Sequence, residues 1–347
     1  MLFRSPTQQN KKLLFLLLLV FSIGIVNAEN IVFTFTNAGQ TGRLGPSQSQ
    51  INTAYTNSSL DGDVTVTGGI QYWTVQHTGN YVIEAFGAAG AYGGYGAYNQ
   101  NIYYRSGGYG ARMKGTFALN EGDQIKILVG QMGTHEYAYY HKPGGGGGGT
   151  FVTMADNTPL IIAGGGGGGG QNNWGQVYDG GHGQTGTSGG QNGGSDGQGG
   201  NASPGGYSGG GGGLLTDGAN WSGNNANYGV YSGGDSFING GAGGYALEWA
   251  KQAHGGFGGG GGAALLPGGG GGYSGGGALG TWSTNGVSGG GGSYNIGIDQ
   301  DNSAGFNSNH GYVIITFDDN QMIPEPSVIF LSILGLASFS IFFKKKL

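Results

Sequence analysis

Six histidines are the first candidates for ligands or bases: His77, His135, His141, His182, His254 and His310. Only His135 and His141, bracketing Glu136, lie close enough to suggest a His/carboxylate metal site, and a polar loop accounts for the same residues. Asp299-Gln300-Asp301-Asn302 and Asp61-Gly62-Asp63 offer oxygen ligands for Ca²⁺, but neither has EF-hand spacing. Glu84, Glu121, Asp123 and Glu136 could supply the two carboxylates of a glycosidase, with nothing to single out a pair. No Gly-Lys-Ser/Thr follows any glycine run, so a phosphate loop is excluded. Gly206-Tyr207-Ser208-Gly209 lacks the Gly-x-Ser-x-Gly spacing of a nucleophile elbow. Cysteine is absent, which removes disulfides, thiolate metal sites and a thiol nucleophile. The expectation is a chain with no catalytic residues, no metal and no cofactor.

Tyrosine is the residue type most able to make contacts. Tyr92, Tyr95, Tyr98, Tyr103, Tyr104, Tyr109, Tyr137, Tyr139 and Tyr140 fall in a Gly/Asn-rich stretch where burying all of them is difficult. Tyr gives rigid amphipathic contact area at low entropic cost. Tyr103, Tyr104, Tyr109, Tyr137, Tyr139 and Tyr140 are therefore the expected binding residues, stacking on sugars or gripping a protein partner.

The elements that must position them emerge from composition. Of 347 residues, 86 are Gly and 8 are Pro; there is no Gly-X-Y period, so collagen is excluded. Charged residues make up 9%, too few for charge-driven disorder. Residues 29–143 read as β: Ile31–Thr36, Tyr81–Phe86, Met113–Leu119 and Gln124–Val129 are strand candidates, and Asn120-Glu121-Gly122-Asp123 reads as a hairpin turn between the last two. Tyr312–Phe317 is a further strand. These short runs predict a sandwich or jelly roll, with no helix outside the two terminal signals.

Residues 144–292 hold 62 glycines in 149 positions, with runs such as 144–149, 164–170, 258–262 and 268–272. Apolar residues abut these runs (Phe151, Leu160 to Ile162, Leu214, Phe257, Tyr273), and a strand follows the whole region. An ordered insert is therefore expected instead of a linker. Gly chains can form extended threefold helices and, without Cβ atoms, pack closely enough for neighbours to share their amides. The opposing cost is the large conformational entropy that Gly loses on folding.

Both ends read as processing signals. Arg4, Lys11 and Lys12 precede the apolar run Leu13–Val26, and Val26-Asn27-Ala28 predicts cleavage between Ala28 and Glu29 of a signal peptide, 1–28. At the other end, linker 318–323 leads into Pro324-Glu325-Pro326, an apolar span Val328–Phe343 and Lys344–Lys346. This order, over 324–347, resembles the PEP-CTERM sorting tail of Gram-negative bacteria. The resemblance implies recognition by an exosortase-type processing enzyme, transient membrane anchoring through the C-terminal span, and export to the cell envelope or extracellular matrix. Without both ends the body carries seven Lys/Arg against seventeen Asp/Glu, a balance that excludes nucleic acid as a partner.

The body, roughly 33–317, resembles the glycine-rich extracellular region of the anaplastic lymphoma kinase and leukocyte tyrosine kinase receptors. The matching pieces come in order: Gly45-Pro46-Ser47-Gln48-Ser49-Gln50, Gly69-Ile70-Gln71, Trp73-Thr74-Val75, Gly87-Ala88-Ala89-Gly90, Ile127-Leu128-Val129-Gly130-Gln131, Gly144–Gly149 into Thr150-Phe151-Val152, Pro159-Leu160-Ile161-Ile162-Ala163 into Gly164–Gly170, Gly255-Gly256-Phe257, and His310-Gly311. The resemblance implies a mainly β chain with a TNF-like (jelly-roll) β-sandwich in two parts, 29–143 and 293–317, and an inserted bundle of polyglycine-II helices, 144–292. In those receptors the region binds a small basic cytokine. This chain lacks their cysteines, has Ser308 and Tyr312 where they carry ligand-binding glutamates, and has no HRD or DFG kinase motif. Ligand identity and kinase activity are therefore not carried over. The expected function is a non-catalytic exported surface or matrix protein whose partner is exopolysaccharide or another surface protein. The alternatives are a secreted polysaccharide-acting hydrolase and a receptor-like ectodomain.

Overall fold

A computed structural model describes residues 30–95, 103–135, 141–171, 177–204, 207–221, 232–246, 253–280 and 287–317. Both terminal signals, with Ala28, Glu29, Pro324, Glu325 and Pro326, lie outside the described residues.

The chain is mainly β, with antiparallel sheets. The first sheet contains β1 (Ile31–Phe35), β18 (Tyr312–Phe317), β4 (Gly79–Phe86), β7 (Gly110–Leu119) and β17 (Ser303–Asn307), in that order. The second contains β16 (Tyr294–Asn295), β11 (Pro159–Ala163), β10 (Thr150–Met154), β8 (Gln124–Leu128), β3 (Ile70–Thr74) and β2 (Val64–Thr67). A three-stranded ribbon joins β6 (Tyr103–Arg105), β5 (Gly93–Tyr95) and β9 (His141–Lys142). Two short ladders complete the set: β12 (Gly170–Gln171) with β13 (Val177–Tyr178), and β14 (Ala278–Leu279) with β15 (Val287–Ser288).

Period-2 alternation turns one face of each main sheet inward. Phe33, Phe35, Tyr81, Ile83, Phe117, Ile315 and Phe317 of the first sheet meet Trp73, Ile125, Ile127, Val152 and Ile161 of the second. Trp73 is the hub, its ring centroid 4.8 Å from Phe33 and 6.2 Å from Tyr81. Full burial of each such side chain contributes about 1.5–3 kcal/mol.

The strands expected at 31–36, 81–86, 113–119, 124–129 and 312–317 are present within a few residues. The hairpin expected at Asn120–Asp123 is not: β7 belongs to the first sheet and β8 to the second. The turn itself forms, with Gly122 at φ +89° and the Asn120 N–H donated to Asp123 Oδ2 at 2.8 Å. Its outer groups, however, bond to Val75: Gly122 N–H to the Val75 carbonyl, and Val75 N–H to the Asp123 carbonyl, both at 2.9 Å. Val75 follows β3, so the chain is carried over to pair beside β3. Turn residues specify a reversal, not the strand that receives it.

A second correction concerns helix. Gln48–Tyr55 forms α1, capped by a reciprocal Ser47/Gln50 box and burying Ile51 and Tyr55. The Ser-x-x-Gln signature was in the sequence, but two apolar residues four apart make too short a period to stand out. The helix closes a sheet edge: the Gln48 amide donates to the Val64 carbonyl (2.9 Å) and accepts from the Val66 N–H (2.8 Å). One side chain thus satisfies two strand groups that would otherwise face solvent.

Two strands of the second sheet, β10 and β11, fall inside the range 144–292 read as glycine insert. The glycine runs connect and cover this sheet. On its outer face Leu128, Phe151, Ile162 and Tyr294 line up across four strands. Leu214, Phe237 and Phe257 from the glycine-rich segments pack with this row to form a second core.

The runs satisfy their amides with a three-residue period. In 144–149, Gly144 and Gly147 donate to Gly169 and Gly166, Gly145 and Gly148 to Thr134 and Gln131, and Gly146 and Gly149 to Gly261 and Gly258. This run therefore has three neighbours, each contacted every third residue. The same period appears in 87–91, where Gly87 and Gly90 donate to Ala111 and Gly108, and Ala88 and Ala91 to Gly148 and Gly145. Buried backbone is thus paired without sheet geometry.

Candidate functional site at the tip of a long hairpin

The tyrosine stretch is built on the longest strand pairing among the described residues. β4 and β7 run in register from Gly79 opposite Leu119 to Phe86 opposite Arg112. The pairing does not stop where the sheet ends. Gly87 N–H reaches the Ala111 carbonyl and Gly90 N–H the Gly108 carbonyl, both at 2.9 Å. Beyond the glycines, β5 and β6 resume it, with Gly93 opposite Arg105 and Tyr95 opposite Tyr103. Register is unchanged throughout: one hairpin runs from the sheet through the glycine bundle to the tyrosines. β9 adds the third strand, with His141 opposite Tyr95 and Lys142 opposite Gly94.

Of the expected binding residues, Tyr104 is 45% and Tyr109 40% exposed. Tyr103 holds the register position opposite Tyr95 in β6. Tyr137, Tyr139 and Tyr140 lie outside the described residues, as does Glu136. Tyr92 stands edge-on to Tyr104, ring centroids 5.4 Å apart, and its hydroxyl is hydrogen-bonded to the His135 imidazole. Tyr109 tilts against His182 at 5.4 Å, and its N–H donates to His182 Nδ1 at 2.9 Å. Ser106 N–H donates to Asp179 Oδ1 at 3.1 Å. His182 thus packs on the Tyr109 ring, Tyr92, bonded to His135, packs on the Tyr104 ring, and Asp179 fixes the backbone between them at Ser106. The sequence could not announce His182 or Asp179 as supports, because each lies 73 residues from its partner.

The other constellations have structural employment. Asp301 pairs with Arg112 at 3.0 Å, and Arg112 also pairs with Glu84. These carboxylates hold the guanidinium in its charged form, chiefly through the Glu84 hydrogen bond. Gln300 donates to the Asn295 and Gly297 carbonyls, which makes 299–302 a strap over the sheet edge. Asp61 accepts the Asn57 N–H and Asp63 the Gln76 amide. Glu84 faces Arg112 in mid-sheet while Glu121 and Asp123 sit in the turn past Leu119, so the structure does not bring these carboxylates together. Among the described residues no three His, Asp or Glu side chains converge as metal ligands.

Two histidines brace the glycine segments from positions of low dielectric. His310 Nδ1 accepts the Met132 N–H at 3.0 Å and His254 Nδ1 accepts the Ala246 N–H at 2.9 Å. Burial pushes both imidazoles below their ordinary pKa, and the Arg43 charge adds to the effect at His254. Both are therefore held neutral.

Comparison with known proteins supports part of the resemblance. No family model matches the chain. Among curated proteins, it is similar to the leukocyte tyrosine kinase receptor of Mus musculus, 39% identical over 104 residues. The match covers 29% of this chain and 11% of the receptor. It is a partial likeness, and the receptor extends far beyond it. Among the described residues no helix is long and apolar enough to cross a membrane; the apolar span Val328–Phe343 lies outside them.

Proposed function

We propose that this chain is an exported, non-catalytic binding or structural module of the cell envelope or biofilm matrix. Its PEP-CTERM-like tail, read by an exosortase-type enzyme, sorts it there. The observation that carries the binding role is the outer half of the hairpin, where Tyr104 in β6 and Tyr109, just before β7, stay exposed. A sugar ring can lay its C–H face on such a ring, with hydroxyls bonding to flanking polar groups; the preferred partner is exopolysaccharide. In fold terms the two facing sheets are read as a TNF-like jelly roll and the glycine runs as polyglycine-II helices. The three-residue hydrogen-bond period supports the second reading.

The test is retention of the chain on purified exopolysaccharide. Tyr104→Ala combined with Tyr109→Ala is expected to lower retention at least tenfold while the circular dichroism spectrum is unchanged. Unchanged retention would remove the tip from the proposal. Deletion of 324–347 is expected to move the protein from the membrane fraction to the periplasm or medium.

The partial likeness to a receptor favours a second reading, a ligand-binding ectodomain-like module. It predicts saturable binding of a protein, not a polysaccharide, at the same tip.

A further inference from the structure

The sequence holds the pairs Asn192-Gly193, Asn239-Gly240 and Asn285-Gly286. The last lies outside the described residues. In such a pair the main-chain nitrogen after the asparagine can attack the side-chain carbonyl, because glycine places no Cβ in the path. The structure holds the other two pairs in opposite states.

Asn239 is locked. It ends the short 3₁₀ turn Phe237–Asn239. Its Nδ2 donates to Asp217 Oδ1 at 2.9 Å, and the same oxygen accepts from the Ser236 N–H and hydroxyl. The Gly240 N–H, the nucleophile of this pair, donates to the Phe237 carbonyl at 3.0 Å. Attack there requires both bonds to break first, one of them to a charged acceptor.

Asn192 carries neither restraint. Gln191 and Asn192 are consecutive residues in the left-handed region, at φ +51° and +61°, in the turn from Gly190 to Gly193. Asn192 is exposed, and among the described residues neither its side-chain amide nor the Gly193 N–H makes a hydrogen bond. Its main-chain carbonyl is held, accepting from Asn201 Nδ2 at 3.0 Å. Two successive side chains in the left-handed region also store strain that a longer backbone would release.

We propose that Asn192 is a self-modification site, at which the Gly193 nitrogen attacks Asn192 Cγ and converts the residue to isoaspartate or aspartate. The nitrogen gives its proton to solvent and bonds to Cγ. The tetrahedral centre then expels the side-chain nitrogen as ammonia, leaving a five-membered succinimide. Water adds to one of the two ring carbonyls and breaks its bond to the Gly193 nitrogen. Opening at Cγ gives aspartate. Opening at the main-chain carbonyl gives isoaspartate, whose backbone runs through Cβ and Cγ. In sum, one water is consumed, one ammonia is released and an amide becomes a carboxylate.

The site is coupled to the glycine bundle. On one arm of the turn, Gly190 donates to the Gly290 carbonyl and accepts the Gly277 N–H. On the other, Gly194 donates to the Gly275 carbonyl. The Asn192 carbonyl lies against Gly277, where a Cβ would sit 2.4 Å from it. Isoaspartate lengthens this path by a carbon and adds a negative charge, so the two arms no longer keep both registers. Conversion therefore loosens the run at 275–277.

The full chain is aged in mildly alkaline buffer, where the attacking nitrogen loses its proton more readily. Chymotryptic peptides are then read by tandem mass spectrometry with electron-transfer fragmentation, which separates isoaspartate from aspartate. Conversion at Asn192 is expected to exceed that at Asn239 at least tenfold in the folded protein and to match it within twofold in urea. Equal conversion in the folded protein, faster conversion at Asn239, or a preference that persists in urea would overturn the inference. Amide exchange reads the coupling. Exchange at Gly194 and Gly277 is expected to rise at least fivefold on ageing, and to stay constant in equally aged Asn192→Gln, whose longer side chain closes the ring far more slowly. Gln191 already adopts the same left-handed conformation next door, so this variant keeps the turn. No rise in the parent chain, or an equal rise in the variant, would overturn the coupling.

Discussion

His310 accepts the main-chain N–H of Met132 through Nδ1, at 3.0 Å. This bond ties the residue just before β18 to the chain that leaves β8, and so links the two main sheets at the end where the glycine bundle begins. It exists only while the imidazole is neutral, because a protonated Nδ1 has no lone pair to offer.

Acid should loosen the bundle. His310 and His254 have pKa values lowered by burial, so the folded state binds protons later than the unfolded chain. Their contribution to stability is complete above the unfolded histidine pKa of about 6.5 and is lost as pH falls below it, towards the folded values. Arg43 and the stacked Tyr245 ring face His254; Met132 and Asn307 lie beside His310. The urea midpoint should therefore fall between pH 7 and pH 5, and the double variant His254→Gln/His310→Gln should flatten that slope. A slope unchanged by the double variant would assign it to other groups.

At Gly148 glycine is required by close approach, not by turn geometry. A Cβ on Gly148 would collide with the Phe257 carbonyl oxygen, whereas one on Gly186 meets nothing within 4 Å. Gly148→Ala is expected to cost about 1–3 kcal/mol or more, the penalty of an overpacked core. Gly186→Ala should be neutral or stabilise by about 0.4–1 kcal/mol through the unfolded chain. Paired urea denaturation curves would show the contrast; equal effects would mean that the runs are not packed.

Gln48 guards the β2 edge through the Val64 carbonyl and the Val66 N–H. Gln48→Ala exchanges both bonds for bonds to water and should cost about 0.5–1.5 kcal/mol. An unguarded edge also pairs with other chains. A lower melting temperature with new oligomers on gel filtration is the expected result.

Phe257 joins the bundle to the second sheet. Its ring packs with Leu128, Phe151 and Phe237 and lies so near the Gly45 and Gly69 backbone that a Cβ at Gly45 would sit 2.6 Å from it. Phe257→Ala should destabilise by about 3–5 kcal/mol. Hydrogen exchange should rise first at Gly148, Gly149 and Gln131, whose amides bond to Phe257, to Gly258 or to the chain beside them. Uniform exchange would show that the two cores unfold as one unit.

Much of the fold is legible in the sequence. Alternation along Tyr81–Phe86 and Tyr312–Phe317 marks half-buried strands, and the apolar residues beside the runs mark an ordered glycine region. Sequence alone put forward Tyr103, Tyr104, Tyr109, Tyr137, Tyr139 and Tyr140 as contact residues; Tyr104 and Tyr109 are the two whose exposure the structure describes. It did not disclose that His182 and Asp179 would support them, because those contacts cross 73 residues of chain. The capping box of α1 stands in the sequence, but with only Ile51 and Tyr55 buried the helix carries too short an apolar period to mark itself.

Tertiary structure alone decided the pairing. Asn120–Asp123 encodes a reversal, and Val75 determines that the reversed strand joins the other sheet. The glycine runs are the extreme case. Composition dictates that they can pack closely, yet a run without side chains carries no information about which neighbour it meets or in which register. That choice falls to the residues at their ends, Phe86 and Arg112 before the glycines of the hairpin, Phe257 and Leu214 beside the others. Only when those side chains find their places, Phe86 on Tyr312, Arg112 on Glu84 and Asp301, and Phe257 and Leu214 in the second core, are the featureless segments between them held in line.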